Sequence, residues 1–292
     1  MQHAYAEVNG ITLHYVTQGS GKLILFLHGF PEFWYAWKAQ LEEFGKDHRA
    51  VAPDLRGFNL SSKPAEVAQY KAKVLVEDVR GLIEHLGHDR CILVAHDWGG
   101  AVGWSLAMAY PQYVEKLVII NSPHPATFAR ELLANEKQQK ASAYMNFFRA
   151  PQAEALLAAD DFAWLFRAHR AWGGDNWMTD EDRAAYLEAW AQPGAMTGGL
   201  NYYRVTPMHP AESDADRQAL AAIAAERARF MVRVPTLAIW GEGDAALLPS
   251  LLDGLAEFVP DLKIHRIPEA THWVVHEKPE EVNRAIREFI RT

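Results

Sequence analysis

Short apolar runs alternate with segments of helical periodicity along most of the chain. Leu23–Leu27, Ala50–Ala52, Cys91–Val94 and Leu117–Ile120 are apolar without interruption, the pattern of strands buried on both faces. Phe33–Phe44, Lys73–Leu86 and Trp98–Tyr110 repeat their apolar positions at helical spacing. Gly87 predicts a C-cap for the second of these and Pro111 a stop for the third. Ahead of them, Tyr5–Val8 and Ile11–Val16 alternate in polarity around Asn9-Gly10, which predicts a tight hairpin. The alternation resumes late in the chain, with Pro235–Trp240 and Leu262–Ile267 as strands and Ser250–Phe258 and Pro279–Ile290 as helices. Together these predict an α/β fold, a mostly parallel doubly wound sheet opened by an antiparallel hairpin.

Between residues 122 and 233 the rhythm changes. Strand-like runs vanish, helical patterns dominate and aromatics accumulate, among them Tyr144, Phe148, Trp164, Trp172, Trp190 and Tyr203. Thr179 followed by Asp182 predicts a capping box ahead of Ala184–Trp190. The pattern divides the chain into a core, residues 1–121 and 234–292, and a helical cap inserted at 122–233. An insertion at that point lies over the carboxyl ends of the strands, where open sheets bind ligands. The excess of aromatics favours a lid on an apolar pocket over a merely structural second domain.

Composition narrows the partners. The 292 residues are 49% hydrophobic and carry a formal net charge of −8, which argues against nucleic acid or an anionic membrane. The single cysteine, Cys91, falls inside a buried strand, so no disulfide framework exists and a reducing, cytoplasmic setting is expected. Met1–Gly10 lacks the basic-then-apolar order of a signal peptide, and no apolar run reaches membrane-spanning length. The histidines show no metal-ligand spacing and no phosphate-binding glycine loop is present, so neither metal nor cofactor is expected. Monomer and homodimer both remain open.

The run Val94-Ala95-His96-Asp97-Trp98-Gly99-Gly100 joins a buried strand to a helix with room only for a very tight turn. Ala95, Gly99 and Gly100 are the small residues such a turn needs, because larger side chains there would strike neighbouring backbone. This is the setting of the G-x-S-x-G nucleophile elbow, with Ala95 for the first glycine and Asp97 for the serine. Helix capping is the competing role for Asp97. A strand ending in Gly241-Glu242-Gly243-Asp244 and another running into Thr271-His272 bring an acid and a histidine to the same sheet edge. Nucleophile, acid, histidine is the chain order of α/β-hydrolases. The acid can also follow the strand Leu117–Ile120, but Asn121 there is neutral, which favours Asp244, with Glu242 a weaker neighbour. An ionised aspartate attacks without a base. It suits displacement at an alkyl carbon, giving an enzyme ester that water activated by His272 then hydrolyses, with Asp244 orienting the imidazole. Backbone N–H groups of Phe30 and Trp98 would hold the oxyanion.

His28-Gly29-Phe30-Pro31-Glu32, Asp54-Leu55-Arg56-Gly57, His96-Asp97-Trp98-Gly99-Gly100 and Thr271-His272-Trp273 together resemble the epoxide hydrolase branch of the α/β-hydrolase superfamily, over nearly the whole chain. The resemblance implies an α/β-hydrolase fold with a cap, and conversion of a small apolar epoxide and water to a vicinal diol. It also implies two cap tyrosines that donate to the leaving oxygen. Tyr144, Phe148 and Pro151 match the pattern around the first, with Gln152 where a glycine is usual. Asn201-Tyr202-Tyr203-Arg204 matches the second and points to Tyr203, leaving Tyr202 to packing. Haloalkane and haloacid dehalogenases share the Asp–Trp elbow. They often place an asparagine donor where Phe30 stands, though Trp164 or Trp172 would supply a donor from the cap. A non-catalytic ligand-binding protein of this fold is the third alternative, and the intact Asp97, Asp244 and His272 set speaks against it. His124, between two prolines, is assigned a rigid exit from the sheet and no catalytic role.

Overall fold

The computed structural model describes residues 1–172 and 177–291. Among the described residues, eight strands, β1 (Gln2–Val8), β2 (Ile11–Gln18), β3 (Leu23–Leu27), β4 (Arg49–Pro53), β5 (Cys91–His96), β6 (Val114–Ile120), β7 (Thr236–Gly241) and β8 (Leu262–Ile267), form one sheet. Its order is β1-β2-β4-β3-β5-β6-β7-β8. The β1–β2 and β2–β4 pairs are antiparallel and every later pair is parallel. Asn9 and Gly10 both take positive φ, 47° and 75°, as a two-residue hairpin turn matching the twist of its strands requires.

The uninterrupted apolar runs are explained by two covered faces. Ile24, Phe26, Ile92, Val94, Val118 and Ile120 point to one side, where helix α1 (Lys38–Phe44) packs through Leu41 and Phe44. Leu23, Leu25, Leu27, Leu93, Ala95 and Ile119 point to the other. There they meet α2 (Ala72–His85) and α3 (Asp97–Ala109) through Val79, Ile83, Val102 and Leu106. Alternate residues therefore serve opposite layers although all are apolar. The strand expected at Leu117 begins three residues earlier, at Val114.

Between β6 and β7 the chain forms α4 (Pro125–Ala134), α5 (Glu136–Ala141), α6 (Ala143–Arg149), α7 (Ala153–Ala171), α8 (Asp180–Trp190), α9 (Ala195–Val205) and α10 (Asp214–Ala225). Among the described residues this stretch contains no strand. α7 breaks at Ala159–Phe162, where Asp160, Asp161 and Phe162 sit in the left-handed region. The capping box of α8 is present: Thr179 Oγ1 accepts from Asp182 N at 3.1 Å, and Asp182 Oδ2 accepts from Thr179 N at 2.9 Å. His124 joins the two ends of the stretch. It N-caps α4, and its Nε2 donates to the Phe230 carbonyl at 2.9 Å. Burial presses its imidazole down to about 4, so it is held neutral, as one donating and one accepting nitrogen require.

After β7 the expected helix at Ser250–Phe258 is absent. Two short 3₁₀ turns, Pro249–Leu252 and Leu255–Glu257, stand there instead, separated by Gly254 at φ 72°. A left-handed residue in mid-segment ends any α-helix. The chain closes with α11 (Val274–Glu277) and α12 (Pro279–Arg291), the latter burying Val282, Ile286 and Phe289 on the α1 side. No helix among the described residues is long and apolar enough to cross a membrane.

Candidate active site

The elbow forms because two glycines let α3 press onto the sheet. A Cβ on Gly99 would lie 2.3 Å from the Leu27 carbonyl oxygen and 2.5 Å from that of His28. One on Gly100 would meet Ser122 Cβ at 2.3 Å. Neither position admits a side chain. Asp97, at the turn, has φ 50°, a left-handed geometry that costs a non-glycine residue of order 1 kcal/mol and must be held by its surroundings. It is held at both ends: Ser122 Oγ donates to the Asp97 carbonyl at 2.6 Å, and Phe30 N–H donates to Oδ1 at 2.8 Å. Gly29 makes room for the carboxylate, since a Cβ there would come within 2.1 Å of Oδ1. Trp98 is the second residue of α3, where backbone N–H groups have no partner inside their own helix. Asp97 thus starts the helix, while His96 occupies the N-cap position without capping it through its side chain.

The second oxygen of Asp97 faces the histidine. His272 Nε2 stands 3.7 Å from Asp97 Oδ2, beyond hydrogen-bond length, and His272 Nδ1 donates to Asp244 Oδ2 at 2.7 Å. Asp244 is fully engaged: Oδ1 accepts from the N–H groups of Ala246 and Leu247, each at 2.8 Å, and Oδ2 accepts from Asn121 Nδ2 at 2.8 Å. Burial by itself would depress the His272 imidazole, but the charge and hydrogen bond of Asp244, with Asp97 and Glu32 behind them, carry it up to about 9. Glu242 turns away and pairs with Arg266 at 2.9 Å.

A cavity of about 740 Å³ opens above Asp97 and is lined by Trp98, Tyr144, Tyr203, Phe128 and Met145 among others. Such a volume suits a small organic molecule. The Tyr144 and Tyr203 rings lie 6.1 Å apart, centre to centre. Burial first, and the Asp97 charge second, push both phenols well above their ordinary range, so both keep their protons. Tyr202 also borders the cavity, but its hydroxyl donates to the Arg56 carbonyl at 2.9 Å. That commits it to packing, as the sequence suggested. The Trp172 ring lies 4.8 Å from that of Tyr144, tilted against it, and Trp164 packs on Phe147 and Phe148; neither is a cavity-lining residue.

One group of residues escaped the sequence reading. Glu32 is buried, and its Oε1 accepts from His276 Nε2 and, at 3.0 Å, from the Tyr186 hydroxyl. His96 Nδ1 meets Oε2 at 3.2 Å and His96 Nε2 donates to the His272 carbonyl at 2.8 Å. Burial opposes ionisation of Glu32, yet the charges and hydrogen bonds of His276 and His96 hold it well below the usual carboxylate range. The available signal was spacing: His276 lies four residues after His272, one helical turn on.

Comparison with known proteins agrees with this geometry. A sequence model of the alpha/beta hydrolase fold matches residues 22–279. Human Epoxide hydrolase 4 is 36% identical over 99% of this chain and 79% of its own length. Epoxide hydrolase 1 of Caenorhabditis elegans is 39% identical over 98% of this chain and 69% of its own. A Bacillus megaterium epoxide hydrolase, solved as a variant with its product (R)-3-[1]naphthyloxy-propane-1,2-diol, superposes with a TM-score of 0.91 at 40% identity, covering 99% of this chain and 100% of that one. A fold, an elbow and a full-length match of this kind place the chain in the α/β-hydrolase fold family, in its epoxide hydrolase branch.

Proposed function

We propose that the chain hydrolyses an epoxide to a vicinal diol in two steps, through an ester on Asp97. Asp97 Oδ1 is engaged by Phe30 N–H, which leaves Oδ2 to attack a ring carbon. The carbon–oxygen bond of the ring breaks, and the departing oxygen takes a proton from Tyr144 or Tyr203. An alkoxide leaving group is strongly basic, so a positioned acid is worth about 10²–10⁴ in rate. In the second step His272 removes a proton from water, and hydroxide adds to the Asp97 carbonyl carbon. Negative charge gathers on Oδ1, between the N–H groups of Phe30 and Trp98. The diol oxygen then leaves with the proton from His272, whose imidazolium Asp244 has stabilised, and the proton left on the Asp97 carboxyl restores the tyrosinate to its phenol. The observation that carries the reading is that two protonated tyrosines share a cavity with an aspartate nucleophile. The same observation weighs against the dehalogenase reading, because a halide ion needs no proton. Trp164 and Trp172 lie behind the wall and give that reading no cap donor.

The residues 122–233 supply both tyrosines and act as a cap over the core, 1–121 and 234–292. The buried free thiol of Cys91 supports a reducing, cytoplasmic setting.

The test is a single turnover with an aryl glycidyl ether in heavy-oxygen water. The label should enter the peptide containing Asp97, and His272→Gln should accumulate stoichiometric ester. Label that goes straight to the diol, never to Asp97, would make water the nucleophile and overturn the reading.

A further inference from the structure

Glu32 is a buried carboxylate whose hydrogen-bond partners come from three separate segments. His96 ends β5 directly before Asp97, His276 lies on α11 directly after the base, and Tyr186 belongs to α8. Glu32 itself follows Phe30 by two residues. One side chain therefore ties together the segments that carry the Phe30 donor, the nucleophile and the base. A carboxylate this deep is tolerated only when it is fully paired, so these contacts are held firmly.

The weak point of the assembly is α11. It has four residues, far too few for a helix to persist by itself, yet it begins two residues after His272. Its place is set by what its side chains grip: Val274 and Val275 sink into the core, and His96 holds the His272 carbonyl just ahead of it, which leaves the polar face to be fixed. At one end Glu277 accepts from Thr271 N and Oγ1, each at 2.7 Å, which closes the turn on itself without fixing it to the rest of the protein. At the other, His276 is clamped between Glu32 and the Trp177 ring, which stacks on it at 3.9 Å and 10°.

We propose that His276 is a positioning residue for His272: by anchoring the turn to Glu32, it fixes the distance between the imidazole and Asp97. The inference rests on the two-step reading above. The stakes lie in the 3.7 Å between His272 Nε2 and Asp97 Oδ2. Water must be deprotonated and delivered to the ester carbon across that gap, and a shift of about 1 Å in such an arrangement costs on the order of 10²-fold. Alkylation is indifferent to the gap, because Asp97 attacks without help from His272 and is held by Phe30 and Ser122. The two half-reactions should therefore part company when the anchor is removed.

The experiment measures both half-reactions in rapid-mixing single turnovers on the full-length protein, with an aryl glycidyl ether as probe. His276→Leu should alkylate Asp97 within about threefold of wild type and hydrolyse the ester 10–100-fold more slowly. His276→Gln, which keeps a donor for Glu32, should hydrolyse within about threefold. If leucine prevents folding, His276→Asn carries the same expectation, since it is polar but too short to reach Glu32. Equal loss in both half-reactions, no loss in either, or a glutamine variant as slow as leucine or asparagine would overturn the proposal. A wild-type protein that forms no ester would instead overturn the two-step reading.

Discussion

Asn121, at the end of β6, donates its side-chain amide to the Asp244 carboxylate at the end of β7 across 2.8 Å. The same amide is locked to the next strand, for Asn121 Oδ1 accepts from Gly241 N–H at 2.8 Å. Adjacent strand ends thus present an amide and a carboxylate to one another, with only the carboxylate reaching His272. Asp244→Asn should leave alkylation of Asp97 intact and slow ester hydrolysis by roughly 10³–10⁴, the scale seen when an imidazole loses its orienting acid. Adding Asn121→Asp returns a carboxylate to the same pair of strand ends and should recover hydrolysis at least about tenfold. A double variant no faster than the single one, in the same single-turnover assay, would show that the two positions are not exchangeable.

Gly29 offers a sharper test of the oxyanion site. An alanine there would drive its methyl into the Asp97 carboxylate, 2.1 Å from Oδ1, and displace that oxygen from Phe30 N–H. Losing one such donor costs on the order of 10²–10³ in rate. Gly29→Ala should therefore lose turnover by at least that factor while keeping its circular dichroism spectrum. Near-normal turnover would mean that the carboxylate does not sit where described.

For the tyrosines, the expected pattern is partial redundancy. Tyr144→Phe and Tyr203→Phe should each slow alkylation, and the double change should nearly abolish it, because two donors on one oxygen partly replace one another. Ring packing is preserved in every case, so melting temperatures should stay close to wild type. Fluorescence of the tryptophans around the cavity, followed on mixing with an epoxide, reports alkylation directly. A double variant alkylating at the wild-type rate would reduce both tyrosines to wall residues.

The pH dependence of stability follows from His272. Its affinity for a proton in the folded state lies above the unfolded value of 6.5, at about 9. The resulting stabilisation is present in full below pH 6.5 and is lost as the pH rises through 9. At 1.36 kcal/mol per unit the shift amounts to roughly 3 kcal/mol. Urea melts between pH 6 and pH 10 should show wild type losing this increment relative to His272→Gln. Parallel curves for the two proteins would contradict it.

Much of this is legible in the amino-acid sequence. The apolar runs announced a sheet covered on both faces, Asn9-Gly10 announced the hairpin, and the spacing of Asp97, Asp244 and His272 announced one shared edge. The first two are local signals, carried by contiguous residues, and the third is three such signals, each at the end of its own strand, read in chain order. The segment Ser250–Phe258 misled because its apolar residues follow a helical period, whereas Gly254 adopts a left-handed conformation that composition alone does not reveal. Glu32, His96 and His276 stayed hidden for a different reason. They are remote from one another in sequence, the motifs that contain Glu32 and His96 do not show that the two meet, and only the closing of the sheet around His272 makes them neighbours.

The charge on Asp97 has a temporal consequence. It is one of the carboxylates that raise the proton affinity of His272, so before any substrate arrives the imidazole is largely occupied by a proton and is a poor base. On the proposed two-step path, esterification would neutralise Asp97 and withdraw its share of that support, while the larger share, from Asp244, stays in place. The histidine would then hold its proton less tightly just when water has to be activated, so consumption of the nucleophile would favour the base.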